Sequence, residues 1–148
     1  MSKSRSTALE KSPLHLLHRA SQSVADLFAR EIKSDLTPRQ LAVLTAVSRN
    51  EGCNQTEIVE RTGIDRSTLA EMVRRLVNRG LVVRRRSRKD SRAYEVKLSP
   101  DGHQLLKSAE PLAKRVDDKV LHALGGRGGA FLDNLSLLAR RFETASET

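Results

Sequence analysis

The stretch that decides the fold is NQTEIVERTGIDRSTLAEMVRRLVNRGLV, residues 54–82. Asn54 and Glu57 stand at capping-box spacing and predict a short helix through Ile58 and Val59 to about Arg61. Gly63 follows, able to take the left-handed conformation that a tight C-cap needs. Asp65 predicts the next N-cap. Leu69, Met72, Val73 and Leu76 then recur at helical spacing until Gly80 stops them. Two helices joined by so tight a turn make a helix-turn-helix.

Downstream the period changes. Leu81 to Arg86 is β-branched at its start, and Tyr94, Val96 and Leu98 alternate with Ala93, Glu95 and Lys97. A hairpin with a charged loop, Ser87 to Arg92, is predicted, and Tyr94 falls in its inward, buried series. Ser99-Pro100 caps a long helix carrying Leu105, Ala109, Leu112, Val116 and Val120. Gly125 to Gly129 interrupts that pattern as a flexible hinge before Phe131, Leu135, Leu138 and Phe142 mark a last amphipathic helix.

Upstream, Ser12-Pro13 opens a helix of about twenty residues with Leu14, Leu17, Val24, Leu27, Phe28 and Ile32 on its apolar stripe. Thr37-Pro38 with Gln40 opens another, buried through Leu41, Leu44 and Val47. The expected fold is mainly α: a winged helix-turn-helix lobe at residues 36–99, and a helical dimerisation region at 12–35 plus 100–144. Residues 1–11 are expected to be flexible. The outer helices are too long and too apolar to lie alone on so small a core, so a second copy of the chain is their expected cover.

Charge points to a polyanion. The chain carries +9, and between Arg61 and Arg92 eleven Arg or Lys face three Asp or Glu, a net +8 in that stretch. A single cysteine, Cys53, excludes an intrachain disulfide. No apolar run suits a membrane span, and Met1 to Lys11 lacks a secretory core, so a cytoplasmic location is expected. One Cys, four His and no glycine-rich loop after a strand supply neither a catalytic triad nor a nucleotide cradle, so no enzyme is expected.

From Leu36 to Leu106 the chain resembles the MarR (multiple antibiotic resistance regulator) family. The resemblance rests on Leu36-Thr37-Pro38-Arg39-Gln40, on Gly63-Ile64 with Ser67-Thr68-Leu69, and on Leu76 with Arg79-Gly80-Leu81-Val82. Above all it rests on the wing, Asp90-Ser91-Arg92 ahead of Val96-Lys97-Leu98-Ser99-Pro100-Asp101-Gly102. It implies an obligate homodimer on a pseudopalindromic operator in double-stranded DNA. It further implies repression, often relieved by a small aromatic or phenolic effector. Among the wing residues it implies that Arg92 enters the minor groove while Asp90 holds it; read alone, the two make a weak surface ion pair.

The helix after Asp65 would lie in the major groove. Arg66 is placed to meet a guanine edge, and Ser67 and Thr68 either to touch DNA or to assist the cap. Glu71 could accept from a cytosine, but pairing with Arg74 or Arg75 along the helix is favoured. Arg74 and Arg75 suit phosphates. Alternation lets two of Arg84, Arg85 and Arg86 face the backbone, taken as Arg84 and Arg86, with Arg88 in the loop. Cys53 reads as structural.

No metal site is expected from His15, His18, His103 and His122, and no cofactor. A small-molecule effector pocket near His15, His18, Arg19 and Arg39 is possible, an anion suiting Arg19 or Arg39, although each taken singly reads as surface. The alternative function is a sequence-indifferent architectural binder of nucleic acid, against which the scarcity of aromatics counts.

Overall fold

The computed structural model describes residues 8–90 and 93–143. Six helices and three short strands follow in order. They are α1 (Pro13–Ile32), α2 (Pro38–Arg49), β1 (Cys53–Asn54), α3 (Gln55–Thr62), α4 (Arg66–Asn78), β2 (Val82–Arg86), β3 (Tyr94–Leu98), α5 (Pro100–Leu124) and α6 (Gly128–Glu143). No helix among the described residues is long and apolar enough to cross a membrane.

The helix starts fall where the capping residues stand. Ser12, Thr37, Asn54, Asp65 and Ser99 each accept a backbone N–H of the first turn, with a full capping box at Thr37/Gln40 and at Asn54/Glu57. Gly63, at φ 68°, closes α3 with its N–H on the Val59 carbonyl, so the N-cap of α4, Asp65, can follow two residues later.

The core lies where α1, α2, α3, α4 and α5 meet the sheet. Val43, Leu44, Val47, Ile58, Leu69, Val73, Leu76 and Val96 are sealed from solvent, and Phe28, Ile32, Leu106, Ala109 and Val116 carry it along α1 and α5. The pattern in α2 and α5 is broader than their sequence stripes suggested: Val43 and Leu106 are buried, while Leu41, Leu105, Leu112 and Val120 are only half-covered.

Three expectations are corrected. The sheet has a third strand: β1 pairs antiparallel with β3, Cys53 opposite Val96, giving the order β1-β3-β2. Two residues carry no periodicity, so the strand was not visible in sequence. Tyr94 is 38% exposed, not buried. The hairpin outruns the helices beneath it: Val96 and Leu98 cover the core, whereas every β2 residue after Val82 is exposed. The glycine run is not an open hinge. Gly125 (φ 57°) caps α5, Gly125–Arg127 form one 3-10 turn, and Gly128 and Gly129 already belong to α6. At the other end Ala8–Lys11, within the segment expected to be flexible, form a 3-10 turn whose Leu9 carbonyl accepts the Ser12 N–H.

The wing is latched to α5 by two small residues. The Ser99 hydroxyl donates to the Gly80 carbonyl and accepts the Gly102 N–H at 3.0 Å, and the Ser99 N–H donates to the Leu81 carbonyl at 3.0 Å. Gly102 lies so close to Leu81 that a Cβ there would stand 3.0 Å from its carbonyl carbon and nearer still to its oxygen. The Leu98-Ser99-Pro100-Asp101-Gly102 stretch thus has a mechanical reading: it fixes where the long helix leaves the wing.

Candidate nucleic-acid interface

Helix α4 presents its N-terminus and one flank to solvent. Arg66, Ser67, Arg74 and Arg75 are exposed, and Thr68 and Glu71 are half-buried at its edge. Asp65 accepts the Thr68 N–H at 3.0 Å and the Ser67 hydroxyl at 2.8 Å. Hydrogen bonds from the Thr68 side chain and backbone, then from Ser67, pull the Asp65 carboxyl down to about 2. The Ser67 hydroxyl therefore serves the cap, one of its two readings, and its oxygen keeps the capacity to accept a hydrogen bond.

Glu71 holds two arginines on one carboxylate. Arg74 reaches it twice, Nη2 to Oε1 at 2.6 Å and Nε to Oε2 at 3.1 Å, and Arg75 Nε reaches Oε1 at 3.1 Å. This is the favoured pairing. The Arg74 hydrogen bond lowers the Glu71 carboxyl below its ordinary range and in turn raises Arg74. All three groups are open to water, so the clamp orients side chains and adds little stability.

On the wing, register sorts the arginines. Arg84 lies opposite Val96 and Arg86 opposite Tyr94, on the face shared by Val82 and Leu98; Arg85 lies opposite Glu95 on the other face. The Arg84 guanidinium sits 4.4 Å from the Tyr94 ring centroid and that of Arg86 5.9 Å. The expected division, Arg84 and Arg86 on one side and Arg85 apart, matches this register. Arg88 and Asp90 lie in the exposed loop, where the Ser87 hydroxyl accepts the Lys89 and Asp90 N–H groups and donates to Glu95. Arg92 lies outside the described residues.

Cys53 is 1% exposed, and burial pushes its thiol above the ordinary value. That is the chemistry of a packed side chain, not of a sensor thiolate. Among the described residues no three His, Cys, Asp or Glu converge as a metal site would require.

Of the residues chosen for an effector pocket, three share α1 and the fourth, Arg39, lies apart from them on α2. His15 is half-buried in the first turn of α1, and His18 and Arg19 are exposed along it. Arg39 lines a separate groove of about 350 Å³ between the start of α2 and the α3–α4 turn, with Thr62, Ile64 and Asp65. The larger cavity was not anticipated: about 830 Å³, between α1, α5 and α6, lined by Leu16, Leu17, Val24, Leu121, Phe131, Leu135 and Leu138 among others. Its rim is apolar and uncovered, with Leu17 44%, Leu132 49% and Leu138 40% exposed. The amphipathic stripes on α1 and α6 signalled the faces but not the gap between them.

Comparisons with known proteins agree with this geometry. The sequence profile of the MarR family matches residues 34–93. The transcriptional regulator HosA of Escherichia coli O111:H- is 34% identical over 119 residues, covering 80% of this chain and 87% of HosA. Among solved structures, the transcriptional regulator PcaV of Streptomyces coelicolor, in complex with its natural ligand, superposes with a TM-score of 0.82 at 32% identity, covering 94% of this chain and 96% of PcaV. The transcriptional repressor CouR, bound to a 23-mer DNA duplex, gives 0.80 at 34% identity over 90% of this chain and 96% of CouR.

Proposed function

This chain belongs to the MarR family, and on that premise we propose that it is a DNA-binding transcriptional regulator acting as a homodimer and answering to a small molecule. Its relatives regulate transcription, and CouR has been solved both on a DNA duplex and with p-coumaroyl-CoA. The observation that carries the reading for this chain is the set of exposed arginines on α4 and the wing. Arg66, Arg74 and Arg75 on α4 and Arg84, Arg86 and Arg88 on the wing all stand open to solvent on a single lobe.

In this reading α4 enters the major groove. Arg66 meets a base edge, Thr68 and Ser67 line the approach, and Arg74 and Arg75 exchange Glu71 for phosphates. Arg92, the arginine of the wing signature, takes the minor groove beside Asp90. The uncovered apolar faces of α1 and α6 pack against the same faces of a second copy, setting two α4 helices about 34 Å apart. An aromatic effector that binds one spacing of the lobes better than the other shifts the dimer toward it, and only that difference in affinity can release DNA.

The test is fluorescence anisotropy with the DNA upstream of the protein's own coding sequence against a scrambled duplex, at near-physiological salt. Preference for the upstream DNA by about three decades or more, lost in Arg66→Ala and Arg92→Ala, is the expected result. Equal, steeply salt-dependent binding to both duplexes would instead make the protein a sequence-indifferent binder.

A further inference from the structure

We propose that Tyr94 is the positioning residue of the wing: its ring holds Arg84 and Arg86 as a paired cation ladder aimed at the DNA backbone. The inference rests on the DNA-binding reading above and names a residue within it that makes the wing arginines effective.

Three observations carry it. Tyr94 is the only tyrosine of the chain, which has no tryptophan, and it stands 38% exposed at the outer end of β3. Both guanidinium groups on that face of β2 lie over its ring, at 4.4 and 5.9 Å from the centroid. Arg85 lies on the opposite face, across from Glu95.

Tyr94 lies beyond Val96, the last fully buried residue of β3 on that face, and is not part of the buried core. Two like charges on one strand face, two residues apart, repel each other. The negative face of an aromatic ring offsets part of that repulsion. A guanidinium stacked by its flat side keeps its in-plane N–H donors free, and those are the donors that fork onto a phosphate. Free arginine side chains lose much of their rotamer freedom on meeting a ligand; a ring that already restrains them lowers that loss. The ladder therefore prepares one face of the wing, which carries no acid among its β2 and β3 positions, for anions, while on the other face Glu95 stands among Arg85 and Lys97. The hydroxyl plays no part in this, so phenylalanine should serve as well as tyrosine.

The experiment measures binding to a short mixed-sequence DNA duplex across a salt series, for the wild type, Tyr94→Leu, Tyr94→Phe, Arg84→Ala and the double variant Tyr94→Leu/Arg84→Ala. Arg84→Ala should lower the log–log salt slope by about 0.9, one phosphate contact. Tyr94→Leu should weaken binding about 5-fold and flatten the slope, although no charge has been removed. Tyr94→Phe should bind within about 2-fold of wild type, and Tyr94→Leu should cost less in the Arg84→Ala background than alone. The proposal is overturned if Tyr94→Leu binds as wild type does, if Tyr94→Phe loses as much as Tyr94→Leu, or if the two single effects add fully. A wild type that binds no duplex would refute the DNA-binding function itself; a wild type that binds with Tyr94 indifferent would refute the ladder alone.

Discussion

Replacing Gly102 by alanine adds a single methyl where α5 crosses the Leu81 backbone closely. The Cβ would lie 3.0 Å from the Leu81 carbonyl carbon and 3.5 Å from its Cα, against the 3.4–4 Å of ordinary contact, and its nearest neighbour would be the Leu81 oxygen. These are backbone atoms, so no side chain can swing aside. Relief requires α5 to move off the wing, which stretches the Ser99 N–H bond to that same oxygen and disturbs the Val82–Leu98 pair beside it. Overpacking of this kind costs about 1–3 kcal/mol, and the strained hydrogen bond about 1 kcal/mol more. Alanine returns less than about 1 kcal/mol of helix propensity, because the site lies in the first turn. The balance is a loss of about 2–3 kcal/mol, or a fall in Tm of about 5–10 °C at this chain length. Calorimetry at one fixed protein concentration reads it, since dimerisation makes Tm concentration-dependent. Gly129→Ala is the control: nothing stands within 4 Å of its Cβ and its φ is not positive, so it should hold or raise Tm. A Gly102→Ala protein that melts with or above the wild type would refute the close-crossing argument.

Glu71→Ala frees Arg74 and Arg75 from their shared carboxylate. It should raise affinity for mixed-sequence DNA by about 2- to 5-fold and steepen the salt slope; weaker binding would mean that Glu71 itself contacts DNA. The Asp65 carboxyl is depressed to about 2 by hydrogen bonds from Thr68 and Ser67. Its contribution to stability is therefore fully present above the unfolded value near 4 and is lost as pH falls from about 4 to about 2. In acid titrations followed by circular dichroism, Asp65→Ala should lose part of that pH dependence and be less stable at pH 7; parallel curves would count against the cap. Cys53, buried and shifted up, should resist thiol reagents in the native protein and react stoichiometrically only in denaturant. Fast native labelling, or loss of DNA binding on mild peroxide treatment, would overturn its structural role. Leu138→Asp places a charge on the open apolar face of α6 and should convert dimers to monomers in sedimentation velocity; an unchanged dimer would move the interface elsewhere.

What was legible in the sequence was local. A cap needs one side chain and a backbone N–H two or three residues on, so Ser12, Thr37, Asn54, Asp65 and Ser99 announced five of the six α-helix starts without any knowledge of tertiary contacts. Gly63 likewise carried its turn in its own φ. Strand β1 failed that condition. Its two residues are strand only because Val96 and Glu95 pair with them from more than forty positions away, and nothing in Cys53-Asn54 encodes the distance. Gly102 sits between these cases: the motif was visible, but the reason for a glycine appears only when Leu81 is placed against it.

The candidate interface divides along the same line. The Glu71 clamp is a helix-spacing effect, i to i+3 and i+4, and was readable in advance. The Tyr94 ladder was misread because alternation alone assigns a side, not a cover. The period placed Tyr94 on the face of Val96 and Leu98, and that placement holds; what the period could not give is where the helices beneath the hairpin end. Once they end, the inward face becomes an outward one, and a residue that would have filled the core meets the arginines opposite it instead. The same reasoning applies to α6. Its stripe of Phe131, Leu135 and Leu138 has the pattern of a core helix, yet the only residue of α6 that its own chain buries is Gly128. A helix of this length is marginal in water without a packed face, so the stripe specifies a partner surface as firmly as the stripe of α2 specifies a core.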